Sequence, residues 1–477
     1  MYIVVKNRAI SSKDQHDMTS LGEMTMEKKI PFSTYAVIGT MLFGMFFGAG
    51  NLIFPIQMGQ LAGTNYWLAL IGFLVTAIGL PFLGILAIGL SGSNGLRDLA
   101  SKVHPVFGLL FALALYLTIG PFFAIPRTAT VPFVVGFEPF IDPSQITLWL
   151  AVFSFIFFAI VFYFSLNPAK IMDIIGKYLT PAFLVFLFVL IGISLFSPMG
   201  NFVEPAGAYI NEAFMTGFKE GYNTMDALAS LAFGIVVIHA IKRTGITEKK
   251  EIAKATWKSG IFAMALMMLI YGLITYMGAS SVTAIGTYEN GGQIFAAVAD
   301  YYFGSYGAIL LAIIIVLACL KTSIGLITSC SEFFHEVFPT VSYKAFVVLL
   351  CFVSFVIANV GLTNIITYAV PVLMFLYPLA IVLIILALFG PMFQYKQSVF
   401  AATILFTFFI SIIDGYNALI KDVPAFEMSA LTEISEIYAH YLPLYSIGLG
   451  WIVPAVIGVV IGLCIPGNGK SNAVGNQ

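Results

Sequence analysis

Long apolar stretches separated by short polar ones fill almost the whole chain. A helix rising about 1.5 Å per residue needs roughly 20 residues to cross the hydrocarbon of a bilayer. Runs that long recur near 34–61, 66–90, 107–134, 145–165, 177–197, 209–240, 257–279, 305–333, 343–361, 364–390, 398–414 and 445–465. The pattern predicts an all-α integral membrane protein with twelve spanning helices, of which the sixth and eighth runs are long enough to be tilted or broken. Two connections, 280–304 and 415–444, are too long to be turns, and the second contains a helical-looking segment from Phe426 to Tyr441. Connections of this size act as lids or are tolerated insertions.

The first run is interrupted in an unusual way. Gly44, Gly48, Gly50, Asn51 and Pro55 fall in the middle of it. A spanning helix gains nothing from such breakers unless the freed backbone groups face a ligand or ions, because lipid offers them no hydrogen bonds. Unwinding at Gly48 to Asn51 bares amide hydrogens at the start of a half-helix, where roughly half a positive charge attracts a carboxylate. Ala49 and Gly50 are the candidate carboxylate donors, Asn51 adds a side-chain oxygen, and the carbonyls of Gly44, Phe46 and Phe47 are free for a cation or an ammonium. Glycines that merely let helices approach closely are the plainer reading, but Gly-Ala-Gly-Asn followed by proline is heavier disruption than packing requires. Movement of a small polar solute across a membrane is the function this predicts.

Composition agrees: 60% of the residues are hydrophobic and 9% charged, with a mean hydropathy of +0.98, more apolar surface than a water-soluble fold can hide. The net charge of −1 says little, whereas its distribution says more. With a cytoplasmic amino terminus, 18 of the 22 basic residues fall on inner segments, including Arg97, Lys102, Lys170, Lys177 and the group from Lys242 to Lys258. That bias puts both termini of a multi-pass cell-membrane protein in the cytoplasm. Residues 1–30 have no short apolar core followed by a small-residue cleavage site, so the first helix is not expected to be a removable signal. Cys319, Cys330, Cys351 and Cys464 lie in apolar runs without paired spacing, and His16, His104, His239, His335 and His440 are scattered without metal-ligand spacing. An enzyme is therefore disfavoured. A channel would need a repeated filter and a continuous polar stripe. No cofactor, nucleic acid or obligatory protein partner is expected beside membrane lipid, a small-molecule substrate and a coupling cation.

A weak internal symmetry organises the runs. The sixth carries Thr224-Met225-Asp226-Ala227-Leu228-Ala229-Ser230, interrupted by small and polar residues as the first is. Five helices separate their starts, and an odd number reverses the second unit in the membrane, which gives a five-plus-five inverted repeat with broken helices 1 and 6. The expected division is a tail at 1–30, a first repeat at 31–200, a second at 201–392, two additional helices at 393–465 and a tail at 466–477. Asp226, an intramembrane carboxylate, requires a cavity or a partner. Arg127 on the third run is its candidate partner, and the two together form a candidate outer gate.

Four blocks in order resemble the bacterial branched-chain amino acid carrier family. They are Phe47-Gly48-Ala49-Gly50-Asn51-Leu52-Ile53-Phe54-Pro55, Gly120-Pro121-Phe122-Phe123-Ala124-Ile125-Pro126-Arg127-Thr128, Gly221-Tyr222-Asn223-Thr224-Met225-Asp226-Ala227 and Ala318-Cys319-Leu320-Lys321-Thr322-Ser323-Ile324-Gly325. The resemblance implies import of leucine, isoleucine and valine with sodium or protons, on a leucine-transporter-type fold. It implies that Ser230, Phe233 and Gly234 form the wall facing the first break. It also implies a sodium site in which the hydroxyls of Thr322 and Ser323 and the carbonyl of Cys319 join carbonyls at Gly44 and Phe47. Lys321 departs from that site, because a lysine near the bilayer centre costs about 2.5–3.5 kcal/mol even on lenient scales. The expected coupling ion is sodium, with Lys321 pointing elsewhere; the alternative is proton coupling, in which the lysine ammonium occupies the ion's position and titrates during transport. A carrier for another small amine or a nucleobase is the rival that broken helices alone leave open.

Overall fold

The computed structural model describes residues 32–166, 180–243, 246 and 248–466. The first tail, the second tail apart from Pro466, and Lys170 and Lys177 lie outside the described residues. The described chain is helical throughout, and helix occupies each of the predicted runs. Seven stretches among the described residues are long and apolar enough to cross a membrane: Gly50–Ser91, Pro105–Gly136, Pro143–Ser165, Glu251–Ala279, Leu311–Val337, Leu362–Phe393 and Gln397–Asp422.

The first run is two helices, α1 (Phe32–Phe46) and α2 (Gly50–Ala62), with Phe47 to Ala49 unwound between them. The sixth is likewise split into α10 (Ala213–Glu220) and α11 (Asp226–Arg243) by a tight turn over Gly221–Thr224. Between these pairs come α3 (Tyr66–Leu74), α4 (Leu80–Ser91), α5 (Leu96–Ser101), α6 (Pro105–Leu117), α7 (Ala124–Gly136), α8 (Ile146–Ser165) and α9 (Thr180–Phe196). After α11 follow α12 (Lys249–Ala279), α13 (Val282–Ile285), α14 (Gly291–Val337), α15 (Tyr343–Ala358), α16 (Leu362–Phe389), α17 (Gln397–Asp422), α18 (Ser429–Tyr441) and α19 (Ile452–Cys464).

Glycine contacts set the central packing. A Cβ on Gly59 would fall 2.1 Å from the Thr275 carbonyl oxygen, and one on Gly278 2.1 Å from that of Ile56. The backbones of α2 and α12 therefore touch, the close approach that small residues permit between membrane helices. Gly72 and Gly217 perform the same service between α3 and α10, with clashes of 2.0 Å against the Phe214 and Ala69 carbonyl oxygens. Of the long connections, 280–304 supplies α13 and the start of α14, and Gln57 and Gln60 of α2 fasten it through Glu289, Ser281 and Gly286. The eleventh run extends past its expected end at 414 to Asp422, because its last turns stay helical as polar positions join one face. α18 fills most of the segment expected from Phe426 to Tyr441.

Candidate functional site

The two breaks meet. Where α1 ends, Asn51 turns its side chain back and accepts the Gly48 N–H on Oδ1 at 2.8 Å, replacing the carbonyl that an unbroken helix would supply. Its amide nitrogen donates to Asp226 Oδ2 at 2.5 Å and to the Tyr271 hydroxyl, which itself donates to Asp226 Oδ2 at 3.3 Å. One buried side chain thus ties the first break to the first residue of α11 and to α12. The Asp226 N–H donates to Thr224 Oγ1 at 3.4 Å, a local bond across the turn that leads into α11.

The second break is held in strain. Met225 has φ 62°, a left-handed conformation that a non-glycine residue enters at a cost of about 1–3 kcal/mol. Arg127 holds it there. Its Nη1 donates to the Asn223 carbonyl at 2.9 Å, its Nη2 reaches Met225 Sδ at 2.7 Å, and its guanidinium lies 5.4 Å from the Phe54 ring centre. Arg127 rises from α7 just after the third run breaks: Thr118–Phe122 is an overwide turn in which Gly120 has ψ −127°. Pro121, which has no N–H to continue the helix ladder, falls in that turn.

The expected pairing of Asp226 with Arg127 is not formed. Among the described residues the ion pair within 4.0 Å is Lys254–Glu251, and Asp226 instead bonds Asn51 and Tyr271 while Arg127 bonds backbone of the turn. Both residues nevertheless line one cavity, together with Gly48, Ala49, Gly50, Asn51, Phe233 and Thr322. Two other expected wall residues lie elsewhere. Ser230 donates to the Ala227 carbonyl at 2.7 Å and faces Gly84, where a Cβ would fall 2.1 Å from its oxygen; Gly234 faces Ile88. Ser230 and Gly234 pack α11 on α4, because they sit about 60° and about 100° from Phe233, to the same side, around the helix. Ser230→Ala is accordingly expected to leave the half-saturating substrate concentration within about twofold, read from saturation kinetics of uptake.

Two contacts join the first break to α14 among the expected cation residues. A Cβ on Gly48 would meet the Thr322 methyl at 3.1 Å and hydroxyl at 3.4 Å, and one on Gly44 would fall 2.7 Å from Lys321 Nζ. Thr322 donates to its own Ala318 carbonyl at 3.3 Å. The Ser323 hydroxyl is fully buried without a hydrogen-bond partner among the described residues, and Cys319 is buried one turn earlier. Phe47 stacks on Phe43 and Tyr271, with ring centres 4.9 and 6.4 Å away.

A second cavity, of 420 Å³, opens beside α5 and is lined by Arg97, Asp98, Tyr116, Ala232, Glu332 and Phe333 among others. Tyr116 and Phe333 stack face to face with centroids 3.9 Å apart, and the Tyr116 hydroxyl reaches the Ala232 carbonyl at 3.4 Å. Sequence reasoning missed Tyr271, one tyrosine among 22 in an unbroken run, for which the chain carries no local signal. Thr224 and Met225 stood inside a quoted block and their polar, helix-breaking context was the available signal.

Comparison with known proteins bears on this geometry. The sequence model of a family described as branched-chain amino acid transport protein matches residues 33–468. The branched-chain amino acid permease BrnQ of Bacillus subtilis (strain 168) is 47% identical over 438 residues, covering 92% of this chain and 98% of its own. BraB of the same organism is 44% identical over 92% of this chain and 96% of its own, and BrnQ of Escherichia coli (strain K12) 37% identical over 89% and 94%. Among solved structures, Mhp1, a nucleobase-cation-symport-1 family transporter in a closed conformation with bromovinylhydantoin bound, superposes with a TM-score of 0.53 at 15% identity, covering 84% of this chain and 93% of its own. At that identity the likeness is one of fold.

Proposed function

The chain belongs to the branched-chain amino acid transport protein family, and from that premise we propose that it imports leucine, isoleucine and valine across the cell membrane by cation symport through alternating access. The observation that carries the reading is the meeting of two interrupted helices at Asn51 and Asp226 inside one cavity. A zwitterion suits that meeting: the unwound amides before α2 attract its carboxylate, and the Asp226 carboxyl with the end carbonyls of α1 attracts its ammonium. The twelve-span, leucine-transporter-type arrangement with two appended helices belongs to the same reading. α1 and α2 pack along α12 as α11 and α10 pack along α4 and α3, so exchanging first with sixth and second with seventh spans maps one set of contacts onto the other. Both termini are then cytoplasmic, as the basic residues require.

Sodium or the proton is cargo in this scheme, not a resident group. The ammonium of Lys321 beside Gly44 favours the proton, because it stands where an ion between α1 and α14 would bind. Sodium is favoured by a different observation, the buried and unpartnered hydroxyl of Ser323 next to Thr322. Either ion suffices energetically, since one positive charge crossing about 100 mV contributes roughly 2.3 kcal/mol, or about fifty-fold accumulation.

Uptake of labelled leucine into proteoliposomes of the full chain, with sodium and proton gradients imposed separately, tests the proposal. Proton-driven uptake that survives replacement of sodium by choline is expected; strict sodium dependence would transfer the coupling site to Thr322 and Ser323. Gly44→Ala should lower proton-driven uptake about tenfold, because the new methyl displaces the lysine tip while the flexible side chain lets the fold persist. Competition by valine and isoleucine but not uracil is expected, and preference for uracil would end the branched-chain reading.

A further inference from the structure

Among the described residues Arg127 is a buried cation, 3% exposed, that makes no ion pair within 4.0 Å. A charge held inside a spanning run is costly unless it is bonded, and ionisable residues kept there mark functional positions. The acceptors of its two terminal nitrogens are neutral and belong to the break of the sixth span. Asn223, whose carbonyl receives Nη1, stands in the tight turn that ends α10, where helix carbonyls lose their partners and negative charge gathers. Met225, whose sulfur receives Nη2, is buried and left-handed. The two bonds thus flank Thr224, whose Cα would lie 3.6 Å from a Cβ on Gly50 at the first break. That same Cβ would lie 3.2 Å from the ring of Phe54, on which the guanidinium rests.

We propose that Arg127 is a positioning residue acting through Met225: by bonding both sides of Thr224 it selects a left-handed turn that the chain would otherwise leave, and that turn is the one competent to bind substrate. This rests on the transport reading above and gives Arg127 a task that does not involve pairing with Asp226. A left-handed methionine is disfavoured about 5–150-fold in population against an ordinary conformation. Without the two bonds the turn relaxes. Met225 separates Thr224, packed at Gly50, from Asp226, bonded to Asn51, so its rotation decides whether the two breaks stay in register. When only a fraction of the molecules holds the competent turn, apparent affinity falls by that fraction, while each occupied molecule turns over as before.

Half-saturating leucine concentrations and maximal uptake rates are measured in proteoliposomes of the full chain. Arg127→Met keeps an apolar stem and removes the donors; it is expected to raise the half-saturating concentration about tenfold with the maximal rate within about threefold. Glycine enters the left-handed region without strain and alanine does not. In the Arg127→Met background, Met225→Gly should therefore restore the constant to within about threefold of wild type, whereas Met225→Ala should leave it raised. Equal constants for these two double variants would overturn the proposal, as would recovery by Asp226→Asn in their place, the mark of an ion pair. Met225→Val keeps Arg127 and adds β-branching at a positive φ, so it should raise the constant about tenfold by itself. A value within about twofold of wild type would overturn the proposal even where Arg127→Met does not assemble. Melting temperatures in detergent, read without cargo, should be higher for the glycine double variant than for the alanine one, and equal values would overturn the proposal. Wild-type protein that takes up no leucine would overturn the transport reading, and the melting comparison then decides the turn separately.

Discussion

Asp226→Ala is expected to lower leucine uptake about a hundredfold, while Asp226→Asn recovers to within about tenfold of wild type. Hydrogen bonds to a charged group contribute about 1.5–3 kcal/mol, and each 1.36 kcal/mol is a factor of ten. Asp226 Oδ2 accepts from both Asn51 and Tyr271. Asn51 in turn fixes the Gly48 amide of the first break. Removing the carboxyl thus releases α2 from α11 at the point where substrate is proposed to bind, and leaves the Asn51 amide with Tyr271 as its remaining side-chain acceptor. Asparagine retains an oxygen that accepts from Asn51, so the joint survives with a weaker bond. Initial uptake rates in proteoliposomes, normalised to reconstituted protein, measure the effect; an alanine variant within threefold of wild type would show that the breaks do not need this link.

Gly278→Leu should remove most of the assembled protein from the membrane. Its first carbon would fall 2.1 Å from the Ile56 carbonyl oxygen, a backbone atom that cannot rotate aside. α2 must then move bodily outward, past a neighbour fixed by the reciprocal contact of Gly59 with the Thr275 carbonyl. Overpacking of a core costs about 1–3 kcal/mol, and losses of even 1–2 kcal/mol change abundance several-fold. Gly272→Ala on the same helix is the control, because its Cβ would meet Leu70 at an ordinary 3.6 Å. Yield of monodisperse protein after detergent extraction separates the two; equal yields would deny that glycine contact sets the position of α2.

Much of the fold was legible because its signals are local. Run length located the helices, and Gly48, Gly50, Asn51 and the polar cluster around Asp226 marked both interruptions. The site was legible only in part. Of the residues expected around the substrate, Asn51, Ala49, Gly50 and Phe233 line one cavity, whereas Ser230 and Gly234 face α4. Asp226 and Arg127 reached the same cavity without pairing, each finding a nearer acceptor or donor in the turn and on α12.

By itself the chain determined that it is helical, that it is apolar enough for a membrane, where two helices break and to which family it belongs, since each follows from residues adjacent in sequence. Only the tertiary structure decided that Asn51 bonds a carboxyl 175 positions away, that Tyr271 joins them and that Lys321 leans on Gly44. The physical reason is rotation. Neighbouring residues point about 100° apart around a helix, and which of them faces the cavity is fixed by backbone contacts such as Gly59 with Thr275, made between segments that no local pattern brings together.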